Sequence, residues 1–176
     1  MKFTQTALAG AYIVDIEPQI DDRGLFARIS CEDEFQRHGL TGCFVQSSLS
    51  VNKASGTLRG MHYQMKPHDE VKLVRCTVGA VYDVIIDLRP DSATFTHWTA
   101  FELTRENRRA LYIPQGLAHG FITLQDGTEV LYQISAPYHG ESARGIRWND
   151  PRFAVQWPVP VRMISERDQS YPDFPS

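Results

Sequence analysis

From Cys43 onward, apolar and polar positions alternate with a period of two, the signature of strands with one face on a core. Phe44–Ser50, Thr57–Gln64, Lys72–Val78, Val81–Leu88, His97–Leu103, Arg109–Ile113, Gly120–Thr123 and Thr128–Ala136 each read as a strand. Turn signals at Gly79-Ala80, Arg89–Ser92 and Asp126-Gly127 separate some of them. Upstream, Tyr12–Ile16 and Leu25–Ile29 predict two short strands around a polar turn at Pro18–Gly24. Ser30 as cap, acidic Glu32 and Asp33 in the first turn, and Gly39 just beyond the end predict one short helix, Glu32–His38. The tail after Asn149 carries Pro151, Pro158, Pro160 and Pro172. It predicts an ordered wrap with a helical turn at Ser165–Asp168 and a frayed end. Many short strands with neither a βαβ rhythm nor a fixed-period repeat predict an all-β sandwich or closed barrel.

Composition narrows the function. At 176 residues the chain is expected to be one domain, 1–176, with a substantial core. A formal charge of −3 lacks the basic excess of a nucleic-acid binder. The apolar run Ala7–Val14 is short and leads straight into Asp15 and Glu17, so it reads as a strand and not a leader. No apolar run approaches the ~20 residues of a membrane span. Cys31, Cys43 and Cys76 form no CxxC pair, which points away from zinc and disulfide frameworks and toward a reducing, cytoplasmic setting.

Candidate chemistry gathers in a few segments. Gly56–Gln64 sets Arg59 three residues before His62 on a partly apolar stretch. A buried cation and imidazole need partners, and an anionic ligand can supply them. Alternation puts Lys72 on one face with Val74, Cys76 and Val78, and Asp83 with Val81, Ile85 and Asp87. A Lys72–Asp83 pair inside the barrel follows as an expectation. Tyr132 shares a face with Val130 and Ile134. In combination, His62 can act as a base with a carboxylate on its other nitrogen, Lys72 can stabilise an enolate oxygen, and Tyr132 can return a proton from the opposite side. That set describes proton abstraction beside a carbonyl with inversion of carbon. Arg23, Arg59 and His119 can hold an anionic handle such as a diphosphate.

Two spacings resemble the cupins, small jelly-roll barrels. Gly56 with His62 is similar to the start of the first cupin motif, and Pro114–His119 to the second. Where metal-binding cupins continue His-x-His, this chain has Gln64, which leaves two imidazoles and argues against a metal site.

The ordered blocks Asp22–Phe26, Phe44–Gln46, Leu58–Gln64, Lys72–Arg75, Asp83–Arg89, Ile113–Phe121, Tyr132, Trp148–Pro151 and Ser165–Asp168 together resemble the dTDP-4-dehydrorhamnose 3,5-epimerase family. The resemblance implies a cupin jelly roll without metal or other cofactor. It also implies a homodimer with exchanged N-terminal strands and a nucleotide-diphosphate 4-keto-6-deoxy sugar as substrate. It matches His62 to the base, Asp168 to its dyad partner, Lys72 to the enolate stabiliser, Tyr132 to the acid and Asp83 to a buried active-site carboxylate. Arg23, Arg59 and His119 match diphosphate and sugar contacts, and Gln46, Ser48, Tyr138 and Arg28 fall on the nucleotide side.

Four departures cluster at that side. Arg28 stands where many members carry Glu, Ser48 where Asn is common, and Ala143-Arg144 where a Glu is frequent. The Pro18–Asp22 turn is shorter and lacks an aromatic. The same chemistry on a CDP- or GDP-linked sugar, or at one carbon only, therefore stays open. A non-catalytic sugar-nucleotide-binding cupin and a metal-dependent cupin enzyme are the readings of other classes.

Overall fold

In the computed structural model, which describes residues 1–175, thirteen strands and two short helices follow one another. They are β1 (Lys2–Gln5), β2 (Tyr12–Asp15), β3 (Gln19–Asp21), β4 (Gly24–Phe26), α1 (Glu32–Arg37), β5 (Gln46–Asn52), β6 (Leu58–Gln64) and β7 (Lys72–Val78). Then come β8 (Ala80–Asp87), β9 (Trp98–Thr104), β10 (Ala110–Ile113), β11 (Leu117–Thr123), β12 (Thr128–Ile134), β13 (Ala143–Gly145) and α2 (Glu166–Gln169). The strands form a six-stranded sheet, β1-β2-β10-β7-β12-β5, a five-stranded sheet, β13-β6-β11-β8-β9, and a separate β3-β4 hairpin. Every pairing between named strands is antiparallel. The two large sheets face each other as a cupin-type jelly roll.

The inner faces divide along their length into a dry core and a cavity. Val74 and Cys76 of β7, Val81 and Ile85 of β8, Phe121 of β11 and Val130 of β12 meet in one buried cluster with Leu103 and Leu111. The same strands carry Lys72, Asp83, His119 and Tyr132, each two residues from a core position. The alternation that fills the core therefore also aims the polar groups inward. On its outer face the six-stranded sheet is covered by Phe35 of α1, over Val14, Leu73, Ala110 and Tyr112. Outside the five-stranded sheet the C-terminal wrap lays Phe153, Val155 and Trp157 over Met61, Val84 and Ile86.

Several expectations need correction. The Pro18–Gly24 turn and the following strand are one exposed hairpin, with Ile20 76% and Phe26 74% exposed. Helix α1 is capped by Cys31, not Ser30, and without a side-chain hydrogen bond. The expected strand at Gly120–Thr123 starts at Leu117, directly after the Pro114–Gly116 turn. Strands β1 and β13 were not expected, since Phe3 and Ala143 are the one apolar side chain in each and give no alternation to read. Strand β1 pairs with β2, and β2 with β10, while the β3-β4 hairpin pairs with neither large sheet.

Candidate active site

The site is built on an irregularity in β6. In a regular strand, residues three apart point to opposite faces. Here His62 pairs with His119 while Arg59 pairs with Phe121, so β6 holds one more residue than β11 over the same stretch. This bulge turns Arg59 and His62 to the same side. Two glycines permit it. A Cβ on Gly60 would lie 2.4 Å from the Gly120 Cα, and Gly60 has a φ of 132°. Only glycine opposite glycine allows so close an approach.

Both side chains line a cavity of about 900 Å³, large enough for a sizeable ligand. Its other walls include Lys72, His119, Tyr132, Gln46, Ser48 and Tyr138. The C-terminal wrap closes it. A parallel bridge between Thr57 and Met163 fixes the wrap beside β6, and Ser165 caps α2 by accepting from the Asp168 amide at 3.1 Å. Asp168 thereby reaches His62, 106 residues earlier, with Oδ1 2.8 Å from Nε2. Its other oxygen accepts from the Gly60 amide at 3.2 Å. Burial alone would raise the Asp168 pKa. The His62 hydrogen bond and charge, with the Gly60 and Ser165 bonds, outweigh it and hold the carboxyl below its usual value. An ionised Asp168 only accepts, so in the neutral His62 imidazole the proton sits on Nε2 and the lone pair on Nδ1.

Tyr132 stands on the opposite sheet. Burial pushes its phenol well above the usual tyrosine pKa, Asp83 adds to this, and Arg59 opposes it. The hydroxyl therefore stays protonated and can donate. Its ring meets the His119 ring edge-on at 5.9 Å.

Asp83 is fully buried beneath the cavity, and both its oxygens lie 2.9 Å from His119 Nε2. Burial raises its pKa, against the opposing pull of His119 and Lys72. The expected Lys72–Asp83 pair is thus replaced by His119–Asp83, because β8 and β11 are neighbours whereas β7 lies in the other sheet. Lys72 instead pairs with Glu70 at 3.0 Å and also donates to the His62 carbonyl at 3.4 Å. Glu70 was missed by sequence reasoning; it precedes β7, where no alternation marks it. Gln64 donates to Glu70 and to the His68 carbonyl, and accepts from the His139 amide at 2.7 Å. Its amide ties the loop before β7 to the loop after β12. Among the described residues, no group of three or more His, Cys, Asp or Glu side chains is placed to hold a metal.

Charge around the cavity is unbalanced. Arg59, Lys72, Arg144, Arg162 and Arg167 line it against two carboxylates, Glu70 and Asp168, which are already bonded to Lys72 and His62. A cation-rich cavity with low-dielectric walls favours an anionic ligand. Two expected contacts are absent from it. Arg23 is on the exposed hairpin, paired with Asp21 at 2.5 Å, and Arg28 is paired with Glu34 at 3.0 Å.

A model of the dTDP-4-dehydrorhamnose 3,5-epimerase family matches residues 5–176. The chain belongs to that family. A relative of this name from Sinorhizobium fredii is 38% identical over 175 residues, covering 99% of this chain and 90% of its own. The family enzyme from Bacillus anthracis, solved with TDP and PPi bound, is 37% identical with a TM-score of 0.95, covering 98% of this chain and 99% of its own. An epimerase from Legionella pneumophila, solved in complex with dTDP-4-keto-L-rhamnose, is 33% identical with a TM-score of 0.91, covering 98% and 92%. Family membership makes the chain an isomerase of the epimerase type, and its fold agrees with these structures over nearly its whole length.

Proposed function

We propose that this chain inverts C3 and C5 of a dTDP-linked 4-keto-6-deoxyhexose, converting dTDP-4-dehydro-6-deoxyglucose to dTDP-4-dehydrorhamnose. One observation carries the reading: the His62–Asp168 pair and Tyr132 line one cavity, with His62 on the five-stranded sheet and Tyr132 on the six-stranded one. Inversion needs a base on one face of the sugar and an acid on the other.

The C3 and C5 protons are acidic because both carbons flank the C4 ketone. His62 Nδ1 takes a proton, and Asp168 stabilises the imidazolium that forms. Electron density moves onto O4, where the Lys72 ammonium stabilises the enolate. The Tyr132 hydroxyl then donates to the opposite face of the same carbon. His62 then releases its proton to solvent and the Tyr132 phenolate takes one up, and repetition at the second carbon completes the double inversion. Arg59 holds the diphosphate, His119 contacts the sugar with Asp83 orienting its ring, and Gln46, Ser48 and Tyr138 receive the nucleoside. TDP and dTDP-4-keto-L-rhamnose in the Bacillus and Legionella relatives support this substrate class.

The working unit in this reading is a homodimer of single-domain chains. Across the outer face of the six-stranded sheet, Leu49, Leu131, Arg75, Ala110 and Val14 form one row. Helix α1 covers one end, while Leu49 and Val51 stay 57% and 56% exposed. Arg75, nearly buried in the same row, has an Nη1 without a partner, and burial lowers its pKa to about 10. The free β5 edge and the apolar hairpin residues Ile20, Leu25 and Phe26 are complementary on two copies. A hairpin laid on the other copy's β5 would carry Arg23 toward Gln46 and Ser48. Free Cys31, Cys43 and Cys76 fit a cytoplasmic enzyme, and no described helix is long and apolar enough to cross a membrane.

The test is incubation with dTDP-, CDP- and GDP-linked 4-keto-6-deoxyglucose in D₂O, following deuterium at C3 and C5. Exchange at both carbons of the dTDP sugar is expected. Deuterium at one carbon only overturns double epimerisation. Exchange restricted to another nucleotide overturns the thymidine assignment. No exchange on any sugar, with binding intact, leaves a binding protein.

A further inference from the structure

Arg59 is anchored through one nitrogen. Its Nε donates to Asn52 Oδ1 at 2.7 Å, and no carboxylate pairs with it among the described residues. Asn52 is the last residue of β5 and is 2% exposed. Its own amide nitrogen is fixed, donating to the Thr128 carbonyl at 3.1 Å and to the Ser50 carbonyl at 3.3 Å. Thr128 is fully buried and is the cross-strand partner of Asn52 at the start of β12. Because Nδ2 must face those carbonyls, Oδ1 must face the arginine. The acceptor is thus set by two paired strands and not by a loop.

A guanidinium has five N–H donors in a planar fork. Asn52 uses the one on Nε and leaves both Nη groups for the cavity that Arg59 lines. Two parallel N–H donors suit bidentate capture of phosphate oxygens. A neutral acceptor orients the fork without cancelling its charge, which a carboxylate at the same place would do.

We propose that Asn52 is a positioning residue: it sets the Arg59 guanidinium to receive the diphosphate of the substrate, so its effect falls on the phosphates and not on the nucleoside. This rests on the functional reading above. The test measures dissociation constants for dTDP, pyrophosphate and thymidine by titration calorimetry, with melting temperatures alongside. The proteins are the wild type, Asn52→Ala, Asn52→Asp, Arg59→Ala and the Asn52→Ala/Arg59→Ala double variant. Asn52→Ala is expected to weaken dTDP about tenfold, the size of one hydrogen bond to a charged group, with thymidine affinity unchanged. Asn52→Asp, close in shape, is expected to weaken dTDP at least as much, because its carboxylate neutralises Arg59. In the Arg59→Ala background, Asn52→Ala is expected to add nothing. The proposal is overturned if Asn52→Ala and Asn52→Asp bind dTDP as the wild type does. Equal losses for dTDP and thymidine, or additive effects of Asn52→Ala and Arg59→Ala, overturn it as well. A wild type that binds neither dTDP nor pyrophosphate refutes the functional reading instead.

Discussion

Lys72 and Glu70 face each other 3.0 Å apart in the cavity wall, each side chain about 10% exposed. Glu70 also accepts from Gln64, so the carboxylate holds the ammonium to the loops that Gln64 joins. Breaking a buried pair from one side leaves an uncompensated charge, at roughly 3–5 kcal/mol. Glu70→Leu should therefore lower stability by about 3 kcal/mol in urea melts. Glu70→Gln also removes the charge but keeps the shape and an acceptor for the ammonium, and should lose less stability than Glu70→Leu. Its kcat should fall about tenfold, with little change in KM, because only the enolate contact is disturbed. A Glu70→Gln enzyme with unchanged kcat would refute this role for the pair.

Asp168 makes two separable contributions. Replacing it by Asn removes the carboxylate beside the proposed base His62, and kcat should fall by about 10²–10⁴-fold. Its folded-state pKa is depressed, so its contribution to stability is present above the unfolded value near 4 and is lost as pH falls through the folded value. Melting temperatures between pH 7 and pH 2 should accordingly drop more steeply for the wild type than for Asp168→Asn. Parallel curves would show that the carboxylate adds no acid-sensitive stability.

Tyr132→Phe separates proton removal from inversion. His62 and Lys72, the proposed base and enolate stabiliser, remain, so solvent deuterium should still enter the substrate. Product formation should fall by about 10²-fold or more, the range of a positioned acid. Loss of exchange in step with loss of product would place Tyr132 in proton removal as well.

The cysteines give a test of the core. Burial pushes the Cys76 thiol up to about 11, and its side chain lies in the inter-sheet cluster. Cys43 is exposed. A thiol-specific disulfide reagent at pH 8 should modify Cys43 promptly and Cys76 only at the rate of unfolding. Fast modification of Cys76 in the Cys43→Ser variant would show that the sheets open locally.

Period-two alternation made the inward faces legible: Lys72 with Val74 and Cys76, Asp83 with Val81 and Ile85, Tyr132 with Val130. It gives the face of a residue but not its neighbour, which depends on strand order. That is why His119, and not Lys72, faces Asp83. Arg59 and His62 share a wall only because of the bulge at Gly60, where a one-residue shift escapes any regular template. Glu70 lies between strands and Asn52 at the end of one, so their partners follow from tertiary approach. Asp168 was readable only through the family resemblance, since nothing local links it to a histidine 106 residues away. Arg23 and Arg28 fall outside the cavity of this chain, paired with Asp21 and Glu34, and no alternation marks where they lie.

The Thr57–Met163 bridge makes the C-terminal segment part of the cavity wall and not only its cover. His62, Lys72 and Tyr132 stand on barrel strands that end by Ile134, whereas Asp168 comes from a separate segment latched along Thr57. Undocking that segment would leave those three side chains in place and take from the imidazole its carboxylate. The latch thus joins two properties that the barrel alone would keep apart, a shaped cavity and a paired histidine.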